Sequence, residues 1–144
     1  MNFPLKTILS AVVLLGTIAV AQDAPQTINR PIGEPAFTVP AHSAKQYKFV
    51  VPAGASAVSL EGHFTATGGL RNSIEVWVMN DDQFVNWTNR HPVNVIYNSQ
   101  KVTQGTVKLT LPPDGGTYHV VFNNEFSVLT PKAVEASLVL KYAR

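Results

Sequence analysis

From Gln46 to Tyr142 the chain repeatedly places apolar residues at every second position and breaks each run with turn residues. Tyr47, Phe49 and Val51 form one such set, closed by Pro52-Ala53-Gly54. Val58, Leu60, Gly62, Phe64 and Ala66 form the next, closed by Gly68-Gly69, followed by Ile74, Val76 and Val78. Val107, Leu109 and Leu111 lead into Pro112-Pro113-Asp114-Gly115-Gly116; Tyr118, Val120 and Phe122 follow, then Val134, Ala136, Leu138, Leu140 and Tyr142. Successive side chains of a strand point to opposite faces, so each run has one face for a core and one for solvent. Short strands at this spacing, with no long helical pattern, predict an all-β fold, an antiparallel β-sandwich of about eight strands.

Two places break the pattern. Val102 is even-numbered whereas Val107, Leu109 and Leu111 are odd, so an extra residue or a turn must intervene, and Gln104-Gly105 is expected to be a bulge or a hairpin turn. The other is Asn80-Asp81-Asp82-Gln83-Phe84-Val85-Asn86-Trp87-Thr88. Asn80 can cap a helix, Gln83 stands three residues on, and two aspartates occupy the turn where the helix dipole favours them. Phe84 and Trp87 then share a face. One short helix near residues 81–88 is predicted over the sandwich.

Residues 1–21 carry the marks of a cleavable signal peptide: Lys6, an apolar run from Ile8 to Val20, and small residues in Ala19-Val20-Ala21 before a cut at Gln22. The run is shorter than the ~20 apolar residues that span a bilayer, which favours cleavage over a membrane anchor. Residues 22–35, with three prolines and no periodicity, read as an extended N-terminal lead-in, and residues 36–144 as the sandwich domain. The expected location is periplasmic or secreted. Cysteine is absent, which removes disulfides, thiol nucleophiles and zinc–cysteine sites. Without Lys6 the charges are close to balanced and no basic cluster exists, so nucleic acid is excluded as a partner.

Within the last third, Gly116-Thr117-Tyr118-His119-Val120-Val121-Phe122-Asn123-Asn124-Glu125-Phe126-Ser127, followed by Lys132-Ala133-Val134, resembles the closing strands of GOLD-type β-sandwiches. There a strand ending in an aromatic runs into an Asn-Asn-x-aromatic-Ser turn, and Lys-x-Val opens the last strand. The Gly-Thr-Tyr start is also similar to bacterial pre-peptidase C-terminal domains. The resemblance implies a jelly-roll or GOLD-like sandwich that contacts protein or lipid and has no catalytic residues. The cysteine pair common in GOLD domains of cargo receptors is missing, so a cargo-receptor role does not carry over. The residues also have a local account: Asn123-Asn124 suit a turn, Phe126 can return its ring to the core, and Ser127 can satisfy a loop amide.

Candidate chemistry is sparse. His42, His63, His91 and His119 show no metal-ligand spacing, and His63 and His119 fall on the polar faces of strands. No Gly-x-Ser-x-Gly motif presents a nucleophile, and no catalytic residue is assigned. No cofactor motif is present; calcium is the alternative, with Asn80, Asp81, Asp82, Asn123, Asn124 and Glu125 as oxygen donors if their loops share one end of the sandwich. Trp77, opposite in parity to Ile74, Val76 and Val78, can line a carbohydrate or apolar groove with Trp87 and Tyr97. Alternatively it packs beneath the short helix against Phe84 or Trp87, which spares a soluble domain an uncovered tryptophan. Asn86-Trp87-Thr88 also matches a glycosylation sequon. The expectation is an exported, non-catalytic binding module for a protein, glycan or lipid partner. A small enzyme built from converging histidines and acids, or a calcium-stabilised carbohydrate-binding domain, are the alternatives.

Overall fold

In the computed structural model, which describes residues 22–69 and 71–144, the alternating runs become nine strands. These are β1 Thr27–Ile32, β2 Ala36–Val39, β3 Ala44–Val51, β4 Ser56–Thr67, β5 Ile74–Asn80, β6 Tyr97–Val102, β7 Gln104–Thr110, β8 Gly116–Asn123 and β9 Lys132–Ala143, with helix α1 Asp81–Thr88 after β5. One sheet has the order β1-β9-β4-β7, with β2 also on β9; the other has the order β3-β8-β5-β6. Every pairing is antiparallel. The all-β sandwich with one short helix is therefore the observed architecture. The signal-peptide assignment falls on residues 1–21, which lie outside the described residues. All nine strands lie within Thr27–Ala143, so the chain from Gln22 onward carries both sheets and the core between them.

The core sits where the inward faces meet. Leu60, Phe64, Leu138 and Leu140 from the first sheet pack toward Phe49, Val76, Val120 and Phe122 from the second. Phe122 is the hub of an aromatic cluster, edge-on to Phe37 at 4.8 Å and to Phe64 at 6.3 Å between ring centroids. Burial of these apolar faces, with no disulfide to assist, is what offsets the entropy of ordering the chain.

Two local features differ from the sequence-based expectation. Residues 22–35 are not only a lead-in, because β1 pairs with β9 from Thr27↔Ala143 to Ile32↔Leu138. Pro31 is tolerated there because β1 is an edge strand, where a missing N–H breaks no ladder toward a second neighbour. Gln104-Gly105 is neither a bulge nor a hairpin turn. The chain passes at Thr103 from β6 in one sheet to β7 in the other, which changes the apolar parity because the core now lies on the other side. The crossing is pinned by the Ala66 amide, which donates to the Thr103 carbonyl at 2.8 Å. A true bulge lies earlier, in β6, where Gln100 has φ +60° and the register against β5 shifts. There the Val76 amide donates to the Ser99 hydroxyl at 2.8 Å. Gly62, at the centre of β4, has φ +152°, and a Cβ there would run into the Ser137 carbonyl oxygen of β9.

Candidate functional site

Helix α1 begins as its sequence requires. Asn80 Oδ1 accepts from the Gln83 amide at 2.8 Å, and Gln83 Oε1 accepts from the Asn80 amide at 2.9 Å, a reciprocal capping box. The helix lies on the outer face of the β3-β8-β5-β6 sheet, in contact with β5 and β8. Met79 and Val121, which point away from the main core, are fully buried beneath it. Phe84 stacks on His119 and Trp87 meets Trp77 edge-on, with ring centroids 5.8 Å apart. The outer face thus carries a second, smaller apolar layer.

His119 is the polar centre of that layer. It is 4% exposed, so its placement on a solvated strand face is corrected: the helix covers it. Its Nε2–H donates to Asp81 Oδ1 at 2.8 Å, and Gln46 Oε1 lies 3.0 Å from Nδ1. With both ring nitrogens occupied and Phe84 flat on the ring, the imidazole has no free edge for a substrate. The histidine–aspartate contact has the parts of an acid–base pair but the surroundings of a clasp, which ties the first turn of α1 to β3 and β8.

The residues nominated from sequence are brought together only in part. Trp77 and Trp87 do meet, as packing beneath the helix rather than as two walls of an open groove. Tyr97 is on the other side of the sheet: it pairs with Val78, packs against the main core, and donates its hydroxyl to the Thr106 carbonyl at 3.2 Å. The three therefore do not share a face. The six oxygen donors nominated for calcium also separate. The β5–β8 ladder pairs Asn80 with Tyr118 and Glu75 with Asn123. Asn80 and Asn123 thus lie at opposite ends of the sheet, about 17 Å apart at ~3.4 Å per residue. At one end Asn80 caps the helix, Asp81 holds His119, and Asp82 is exposed. At the other, Asn123 Oδ1 accepts from the Glu125 amide at 3.0 Å and Glu125 faces Arg90 at 3.6 Å. Among the described residues, no group of three or more histidine, aspartate or glutamate side chains is placed to hold a metal ion.

The second end holds a feature that the sequence reading passed over. The loop joining β8 to β9 is built around Asn124, which is fully buried. Its Nδ2 donates to the carbonyls of Val39, Pro40 and Thr130 at 3.0–3.2 Å, and its backbone bonds Ser43 and Ser127. Ser127 Oγ donates to the Thr130 carbonyl at 2.8 Å rather than satisfying a loop amide. Phe126 stays half-buried at the surface, with Lys101 Nζ 4.5 Å above its ring, instead of returning to the core. On this frame stand Val128 and Leu129, 65% and 87% exposed. Arg71 is exposed beside them, and Arg71, Phe126 and exposed Lys101 line a neighbouring groove of about 590 Å³. Lys132 is buried below, its ammonium donating to the Gly68 carbonyl at 2.8 Å. The sequence signal for this site was present: two adjacent aliphatic residues, out of step with the alternation, in a loop between Ser127 and Thr130-Pro131.

No helix among the described residues is long and apolar enough to cross a membrane. No protein-family model matches the chain, and no curated protein matches it.

Proposed function

We propose that the chain is an exported, non-catalytic binding module that engages its partner through the β8–β9 loop end of the sandwich. The observation that carries this reading is the pair Val128 and Leu129, held out in water by a loop whose base is pinned through buried Asn124. Leaving two large aliphatic side chains exposed forgoes about 1.5–3 kcal/mol of burial for each. A loop that spends hydrogen bonds to hold them there is built to present them. Export, to a periplasm or to the medium, rests on the charge, apolar run and cleavage-site pattern of residues 1–21. The resemblance to GOLD-type and pre-peptidase C-terminal sandwiches belongs to the same proposal, since its Gly116–Ser127 motif runs along β8 into this loop.

The test is a photo-reactive amino acid placed at position 129, and separately at position 85 on α1, in protein exported by its own host. Adducts from position 129 and none from position 85 are expected. An absence of adducts from 129, or equal yields from both, overturns the assignment of the loop end.

A further inference from the structure

We infer that the loop end docks on an anionic phospholipid surface, with Val128 and Leu129 dipping below the headgroups and Arg71 and Lys101 meeting lipid phosphates. This rests on the loop end being the binding surface and goes on to name what it meets. The shape of the surface argues for a bilayer. A stable protein interface covers about 800 Å² per partner and is anchored by aromatic or arginine side chains sunk in pockets. Here the apolar part is a projecting tip of two aliphatic side chains, one of them 87% exposed. The nearest aromatic, Phe126, lies behind the tip beneath Lys101. A fluid bilayer accepts such a tip without a pre-shaped pocket, and binding there scales with the apolar area inserted plus attraction to anionic lipid.

The charges around the tip fit that second contribution. Arg71 and Lys101 are exposed and line one groove against Phe126. Arg71 also lines a second groove, together with Val128 and Leu129. Glu125, the acid nearest the tip in sequence, is turned toward Arg90. The acids of the helix start, Asp81 and Asp82, belong to the opposite end, because Asn80 pairs with Tyr118 while Glu75 pairs with Asn123. Arg71 and Lys101 therefore flank the tip while Glu125 is paired with Arg90, and the other acid at this end of the second sheet, Glu75, stands across the β5–β6 ladder from Lys101.

The experiment is co-sedimentation of residues 22–144 with vesicles of phosphatidylcholine alone or mixed with phosphatidylglycerol. Binding is expected to the anionic vesicles, weaker on the neutral ones, and reduced by added salt. V128S/L129S should lower partitioning by about tenfold or more, and R71E/K101E should remove the preference for phosphatidylglycerol. V128S/L129S alters exposed side chains alone, so its melting temperature should stay at the parent value, whereas K101E also sets a second carboxylate across the ladder from Glu75 and is compared with R71E alone. Failure to bind anionic vesicles overturns the proposal, as does binding that V128S/L129S leaves unchanged. If vesicles fail while position 129 cross-links to a protein, the lipid assignment falls and the loop-end reading stands. If both fail, both fall.

Discussion

His119 lies flat against Phe84, with ring centroids 3.9 Å apart and planes 5° from parallel, so the outward face of β8 is closed rather than solvated. The helix brings its own capping box, its own aromatic pair and, in Asp81, the acceptor for the histidine it covers. The sandwich thus has two apolar layers of unequal size. The smaller one accounts for five of the residues that look functional in sequence: Trp77, Trp87, Asn80, Asp81 and His119.

That stacking makes His119 structural. His119→Ala should cost about 2–3 kcal/mol, from the cavity left under Phe84 and the lost bonds to Asp81 and Gln46. His119→Phe, which keeps a ring against Phe84 but no hydrogen bonds, should recover part of the loss. Urea unfolding of the three proteins measures this, and a near-wild-type midpoint for His119→Ala would show that the helix does not depend on the clasp.

Phe122 tests the main core in the same way. It is 1% exposed and packs edge-on against Phe37 and Phe64. Phe122→Ala should cost about 3–5 kcal/mol. Leu129→Ala, at a side chain that touches little, should stay within about 0.5 kcal/mol of the parent. Comparable losses at the two positions would mean that the loop tip is packed rather than presented.

Asn124 tests the base of the loop. Truncation to alanine strips hydrogen bonds from the carbonyls of Val39, Pro40 and Thr130, and should cost about 2–3 kcal/mol. Asn124→Asp should be worse, because it sets a carboxylate against those carbonyls. Thermal melts of both variants give the answer, and two silent substitutions would remove the argument that the loop is held in place.

Acid should weaken the outer faces. The hydrogen bond from Lys141, 2.7 Å from Glu61 Oε2, holds the Glu61 carboxyl below its ordinary value of 4.5, and Lys45 does the same for Glu34. A carboxyl with a depressed folded-state value contributes stability that is complete above its unfolded value and is lost as pH falls through the folded one. Urea midpoints followed from neutral pH to below 4.5 should therefore fall more steeply for the parent than for E34Q/E61Q. Parallel curves would show that the pairs, both partly open to solvent, add nothing.

What was legible in the sequence was local. The capping box needs only Asn80 and Gln83 three residues apart, and the alternation of Val58 to Ala66 fixes which side chains face inward. Position relative to another strand was not legible. The parity change before Val107 was visible, yet a bulge, a turn and a crossing between sheets all shift parity alike, and only the partner strands of β6 and β7 distinguish them. Likewise, nothing near Asn80 or Asn123 records that β5 and β8 place them at opposite ends. His119 fell on the polar side of its alternation, and its burial depends on a helix thirty-odd residues earlier in the chain. Three prolines in residues 22–35 hid β1, because an edge strand tolerates what a central one cannot.

The central claim is that contact with the outside is made by the Val128–Leu129 tip and not by the aromatic layer under α1. The absence of cysteine makes single-site labelling direct, so an environment-sensitive fluorophore can be attached at Leu129→Cys or, as the comparison, at Val85→Cys. With anionic vesicles or the membrane fraction of the host, the label at 129 should shift to the blue and the label at 85 should not move. A shift at 85 with none at 129 would contradict the account.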